Sequence, residues 1–258
     1  MKQSFAWFVI LVIVGVFSGC MGPTPEPTPQ PPTETPTITP TFTATIDWFP
    51  ATATATRAPT QTPVPTPNMR TGLDDVMQDD AFATGHNWQT GSFPAGNITV
   101  TRETLTLAVQ QSKGVLFSLQ SKPLVADFDM QVQVNVSLCR GEDAYGLVVR
   151  AAGNLDYYRF LVTCNGLARA DRVRNGQTIP MQDWTTAAMF PGAPIDVRLG
   201  VWALGNEMRF FVNEAYIFSV KDPVFPNGVV GVFARSAGEN ALTVNYTDLV
   251  IRKVISTP

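Results

Sequence analysis

The chain has 258 residues and a net charge of −3, from 18 Lys+Arg against 21 Asp+Glu. No run of Lys or Arg occurs in it, so a nucleic-acid partner has no electrostatic foothold. It has one histidine, His86, in the loop-like Thr84-Gly85-His86-Asn87, so a catalytic triad, a Cys–His pair or a multi-histidine zinc site would all depend on that residue.

The N-terminus reads as an export signal. Lys2 supplies a positive charge, residues 5–17 form 13 consecutive apolar positions, and Ser18-Gly19-Cys20 comes next. Thirteen residues are too few for a spanning helix, which needs about 20, and suit a signal-peptide core. Phe17-Ser18-Gly19-Cys20 resembles the lipobox of bacterial lipoproteins. That resemblance implies residues 1–19 as a cleaved signal peptide and a diacylglycerol on Cys20, anchoring the chain outside the cytoplasm at the bacterial surface. The alternative is an ordinary signal peptide with an incidental cysteine.

Residues 20–69 form a Pro/Thr-rich linker: 13 of the chain's 21 prolines lie between Pro23 and Pro67. Proline bars helix and sheet ladders, so this stretch is expected to be disordered and extended, holding the C-terminal domain on the order of 100 Å from the membrane at ~3.1 Å per residue.

From residue 70 to 258 the pattern changes to strands. Phe128, Met130, Val132, Val134, Val136 and Leu138 alternate strictly with polar residues, which places all six on one face of a strand. Shorter runs occur at 145–151, 157–164, 167–173, 194–204, 208–212, 216–220, 229–234 and 242–252, separated by turn formers such as Ala-Gly-Asn, Cys-Asn-Gly and Pro-Asn-Gly. No window shows a helical stripe, so the expected class is an all-β sandwich or closed barrel. Pairing two strands across Ala152-Gly153-Asn154 turns Leu147, Val149, Tyr158, Phe160 and Val162 inward. It puts Val148, Arg150, Tyr157 and Arg159 on the other face. Cys139 and Cys164 close two of these strands, and the expected disulfide between them fits an oxidising compartment. Two free thiols are the alternative.

Several phrases resemble concanavalin A-like, laminin-G-like jelly rolls, including the 3-keto-disaccharide hydrolase-like domain family. They are residues 145–150 with 156–162 and Asn165-Gly166, Phe211-Val212-Asn213, the run 225–232, the closing strand 246–251, and an opening Asp79-Asp80-Ala81-Phe82 with Trp88. The resemblance implies a two-sheet antiparallel jelly-roll sandwich over nearly all of 75–255, with the Arg150 face on a sheet that is often concave. Glu214 departs from the family's usual glycine after Asn213.

Hydrolysis of a glycosidic bond needs two facing carboxylates. No Glu-x-Asp-x-x-Glu strand of the laminarinase kind is present, and no catalytic set maps from the disaccharide hydrolases. Glu142-Asp143 read as polar loop, and Asp127 with Asp129 as a solvated strand edge. Sugar binding asks less: exposed rings for stacking, with Arg, Asp or Asn beside them. Trp202 falls on the polar side of the alternation Val197, Leu199, Val201, Ala203, either as a stacking platform or packed beneath a neighbouring loop. Tyr157, Arg150, Arg159, Arg169 and Asp171 are further ligand candidates by face, with structural cross-strand pairing as the rival reading. Trp184, beside Asp183, either rims a groove or plugs the sandwich edge, and Trp88 is expected to pack near the first strand. No cofactor is expected unless Ca²⁺ binds, for which Asp79, Asp80 and Asp248 are the candidate ligands. The expected role is a surface-tethered module that binds a glycan or another extracellular polymer without catalysis. The rivals are a structural or protein-interaction module and a glycoside hydrolase.

Overall fold

The alternation that marks Phe128–Leu138 becomes a central strand of one sheet, and the rest of the molecule is built around it. The computed structural model describes residues 68–83 and 87–256; Cys20, the leader, the Pro/Thr stretch up to residue 67 and His86 lie outside them. Fifteen strands succeed one another, with no helix among the described residues: β1 (Leu73–Asp80), β2 (Gly91–Phe93), β3 (Gly96–Thr101), β4 (Thr104–Val109), β5 (Val115–Leu119), β6 (Phe128–Leu138), β7 (Ala144–Gly153), β8 (Asp156–Thr163), β9 (Leu167–Arg174), β10 (Gln177–Thr186), β11 (Ile195–Leu204), β12 (Glu207–Val212), β13 (Ala215–Lys221), β14 (Val229–Arg235) and β15 (Leu242–Val254).

They form two antiparallel sheets. One runs β13-β12-β11-β6-β15-β4-β3-β2, with β1 paired to the C-terminal part of β15; the other runs β10-β9-β8-β7-β14-β5. The sheets face each other across a single apolar layer. From β6 come Phe128, Met130, Val132, Val134 and Val136; from β7 and β8 come Leu147, Val149, Tyr158, Phe160 and Val162, all fully buried. Leu138, expected in the same row, is largely exposed at the strand's end. Phe160, Phe210 and Phe218 meet with centroids 5.5–6.4 Å apart, so the aromatic packing spans both sheets.

A hydrogen-bonded tyrosine and a disulfide are among the ties that cross the sandwich. Tyr246 on β15 donates its hydroxyl proton to the Phe233 carbonyl at 2.7 Å and accepts from the Gly146 N–H at 3.3 Å. Full burial drives its pKa far above the usual phenol value. Replacing Tyr246 by phenylalanine removes this cross-sheet bond while keeping the ring, and is expected to cost about 1–2 kcal/mol in urea unfolding; an unchanged midpoint would mean the hydroxyl contributes nothing net. The second tie is the disulfide Cys139–Cys164, which joins the end of β6 in one sheet to the end of β8 in the other, with Cα atoms 5.8 Å apart.

The β7–β8 register matches the sequence expectation except at Arg150. Val149 pairs with Tyr158 and Gly153 with Asp156, and a bulge lies between them. Arg150 sits in that bulge with φ of 50°, a left-handed backbone that re-aims its side chain. Its guanidinium donates to the Ala126 carbonyl at 2.6 and 3.1 Å and is fully buried. Arg150 therefore does not share the outer face with Val148, Tyr157 and Arg159, and the ligand role expected for it gives way to a structural one.

Candidate functional site

Each sheet presents an outer face, and the two are finished differently. On the nine-stranded sheet the outer face over β6, β11 and β12 is covered by the chain's own segment 68–71. Arg70 crosses β11 at Gly200, where an added Cβ would run into the guanidinium. It lies 4.1 Å from the centroid of the Phe211 ring and pairs with Asp129 at 3.3 Å and with Glu214. Trp202 donates its indole N–H to the Thr71 carbonyl at 2.8 Å, and Arg209 stacks on the indole at 4.1 Å while donating to the Met69 carbonyl at 2.7 Å. Trp202 is 2% exposed. The open stacking platform is thus corrected: the packed alternative holds, and the covering segment comes from far back in the chain. Asp129 is corrected too. It is buried against Arg70 rather than solvated at a strand edge; burial raises its pKa, with the Arg70 charge opposing. Glu214, at φ of 64°, takes a backbone conformation suited to glycine, and its carboxylate meets Arg70 there.

The outer face of the six-stranded sheet is different. Val148, Tyr157, Leu161, Val173 and Phe233 form a second apolar cluster here, separate from the main core, with Phe117 packed against it. Over this floor lie charges. Asp171 on β9 is 1% exposed, and its two oxygens take one arginine each: Arg159 Nη2 at 2.6 Å and Arg169 Nε at 2.6 Å. Cross-strand register explains the first pair, because Arg159 stands directly opposite Asp171. Arg159 lies over the Phe233 ring at 5.1 Å and Arg169 over Trp184 at 5.2 Å. Trp184 is 41% exposed, the one tryptophan among the described residues left open to solvent. Tyr157 packs 6.2 Å from Phe117, and burial raises its pKa.

Of the residues expected at a site, Tyr157, Arg159, Arg169, Asp171 and Trp184 are brought together on this face, while Arg150 and Trp202 are not. The sequence reading passed over Phe117, Phe233 and Arg235. Arg235 lies two residues after Phe233 on β14, so the alternation that turns the one outward turns the other outward too. It stands one row beyond Phe233, opposite Ala144, and burial, then the Arg159 charge, lowers its pKa.

The buried carboxylates of the domain are committed. Among the described residues the buried ones are Asp129, Asp143, Asp171 and Asp222. Asp143 accepts the backbone N–H groups of Arg140 and Ala237. Asp222 accepts from Tyr158 at 2.6 Å and from Arg172 at 2.5 Å; burial first, and the bond to Asp222 second, push the Tyr158 phenol up to about 12. Asp80 accepts the indole N–H of Trp88 at 2.9 Å and the Phe82 N–H at 2.7 Å, which places Trp88 against the first strand as expected. No three His, Cys, Asp or Glu side chains converge on a metal-sized point among the described residues.

This architecture is that of the concanavalin A-like jelly roll. The carbohydrate-binding module CBM66 from Bacillus subtilis is similar at 16% identity over 65% of this chain and 96% of its own, with a TM-score of 0.50. The exoplasmic/lumenal domain of VIP36, in a Ca²⁺/Man3GlcNAc-bound form, is similar at 11% identity over 72% and 92% of the two chains, with a TM-score of 0.53. The β-glucanase of Bacillus licheniformis is similar at 10% identity over 69% and 98%, with a TM-score of 0.50. At these identities the likeness is one of fold. No protein-family model and no curated protein matches the chain.

Proposed function

We propose that this protein binds a glycan on the outer face of its six-stranded sheet, without cleaving it, and that a lipid on Cys20 tethers it to the outside of the cell. The observation that carries the binding reading is the combination on that face of a half-exposed ring, Trp184, with fixed polar groups: Arg159 and Arg169 are locked to Asp171 over an apolar floor. Sugars have apolar ring faces and a rim of hydroxyls, and a rigid aromatic beside preorganised donors meets both. The fold shared with the carbohydrate-binding module CBM66 and with the Man3GlcNAc-bound VIP36 domain supports the same reading. The β-glucanase shares the fold as well. Against hydrolysis by this chain stands the engagement of the four buried carboxylates of the described residues by arginine, amide, hydroxyl or backbone donors; general acid work needs a carboxyl free to carry a proton to the leaving oxygen.

The test is a glycan-array screen of the intact protein, with and without Ca²⁺, beside Trp184→Ala and Trp202→Phe. Saturable binding is expected, weakened about tenfold or more by Trp184→Ala and unchanged by Trp202→Phe. Binding that survives Trp184→Ala would move the site elsewhere, and a folded protein that binds no glycan would leave a protein-interaction role.

A further inference from the structure

We propose that the glycan taken by this face is anionic, its carboxylate or sulfate groups meeting Arg235 and Arg169. The inference rests on the glycan-binding reading and names its ligand class.

Three guanidiniums, those of Arg159, Arg169 and Arg235, stand on this face with one buried carboxylate, Asp171. Asp171 has two oxygens, and each already holds one arginine. Arg235 is left over: no carboxylate lies within ion-pair distance of it among the described residues. Among the described residues its one hydrogen bond is Nη2 to the Glu142 carbonyl at 3.3 Å, and its buried Nε finds no partner there. The Nε of Arg159 is likewise buried and unpartnered. Arginine does not shed its proton at any working pH, so the repulsion of like charges is not relieved by neutralisation. Partly buried cations that lack a counter-charge carry a cost that an incoming anion removes. The exposed Glu142 carboxylate acts favourably on Arg235 from nearby but makes no ion pair with it.

The geometry suits a chain of sugars rather than a single ion. Arg159 stands opposite Val148 on one cross-strand row, Arg169 opposite Leu161 on the next, and Arg235 opposite Ala144 on the row beyond. Successive rows on one face lie two residues apart, roughly 7 Å. Between these rows Val148, Leu161 and Phe233 supply the apolar floor, and Gly146 puts no side chain between Phe233 and Leu161. Arg159 is held over Phe233 and Arg169 over Trp184, which keeps both heads in place beside a stacking ring. The chain as a whole is acidic at −3, so a cationic face is a local feature and not part of a general attraction for polyanions.

The experiment measures binding of the intact protein to polygalacturonate, to dextran sulfate, to neutral dextran and to a DNA duplex, each at low and high salt. Wild type is compared with Arg235→Gln, Arg169→Gln and Trp184→Ala, all first checked for an unchanged thermal transition. The expected result is that polygalacturonate or dextran sulfate binds at least about tenfold more tightly than dextran, and that each arginine variant loses about tenfold of that affinity. Raised salt weakens the same interaction. Preference for polygalacturonate identifies carboxylate recognition, and preference for dextran sulfate identifies sulfate; either supports the proposal. Binding of neutral glycans that depends on Trp184 but not on the arginines would overturn the charge inference and leave the glycan reading standing. DNA binding as tight as that of the polysaccharides would also overturn it. No binding to any glycan would remove both.

Discussion

Replacing Arg70 by alanine is expected to lower the stability of the protein by about 3 kcal/mol, a large effect for a residue outside any strand. The reason is what the arginine leaves behind. Asp129 is 1% exposed and has two polar partners besides, Gln131 at 2.8 Å and the more distant Arg252 charge. Without Arg70 the buried carboxylate keeps only Gln131 and the distant Arg252 charge, and its pKa, already raised by burial, climbs further. A carboxyl whose folded-state pKa exceeds its unfolded value binds more protons when folded. The loss is therefore largest near neutral pH and shrinks as pH falls through the folded-state pKa. On an Asp129→Asn background, where no charge is stranded, Arg70→Ala is expected to cost only about 1 kcal/mol, the stacking on Phe211. Urea unfolding of the four proteins of this cycle, at two pH values, checks the set. A cost that is the same on both backgrounds would show that the pair is not coupled.

Replacing Cys139 and Cys164 together by serine is expected to cost a similar amount, about 3 kcal/mol. The two cysteines lie 25 residues apart, and the chain-entropy relation gives that order of destabilisation when a loop of this size opens. Its position adds to the effect, because it links the ends of β6 and β8 across the two sheets rather than within one. Unfolding midpoints of the double serine variant, and of wild type with a strong reductant, should agree with each other and fall well below that of the oxidised protein. A loss under about 1 kcal/mol would contradict this, and would mean that β6 and β8 are held mainly by the core between them.

Much of the fold is legible in the sequence because one face of each central strand is apolar. The Phe128–Leu138 alternation matches β6 at both ends, and the inward set on β7 and β8 is the set that packs. Apart from the opening stretch 79–82, which overlaps the end of β1, the strands before residue 120 escape the sequence reading, although Ile98 and Val100, then Leu105, Leu107 and Val109, carry the same period of two. β10 gives no such signal: it is an edge strand, exposed along most of its length, with Pro180 inside it. The site is legible in part for related reasons. Alternation correctly sets Tyr157, Arg159, Arg169 and Asp171 outward on one sheet. It fails at Arg150 because a bulge with a left-handed non-glycine residue leaves no mark in the composition. Alternation also puts Trp202 on the outer face, where it is, but does not reveal that Met69, Arg70 and Thr71 lie over it, 131 residues earlier in the chain at Thr71. That contact belongs to tertiary structure, and no local pattern encodes it.

The most direct test of the glycan-binding face is hydrogen–deuterium exchange of the intact protein with and without the tightest-binding glycan from the array. Protection is expected in β8, β9 and β10 and around Arg235, with no change in segment 68–71 or in β11 to β13. Protection confined to that second region would contradict the assignment and place the ligand on the opposite sheet.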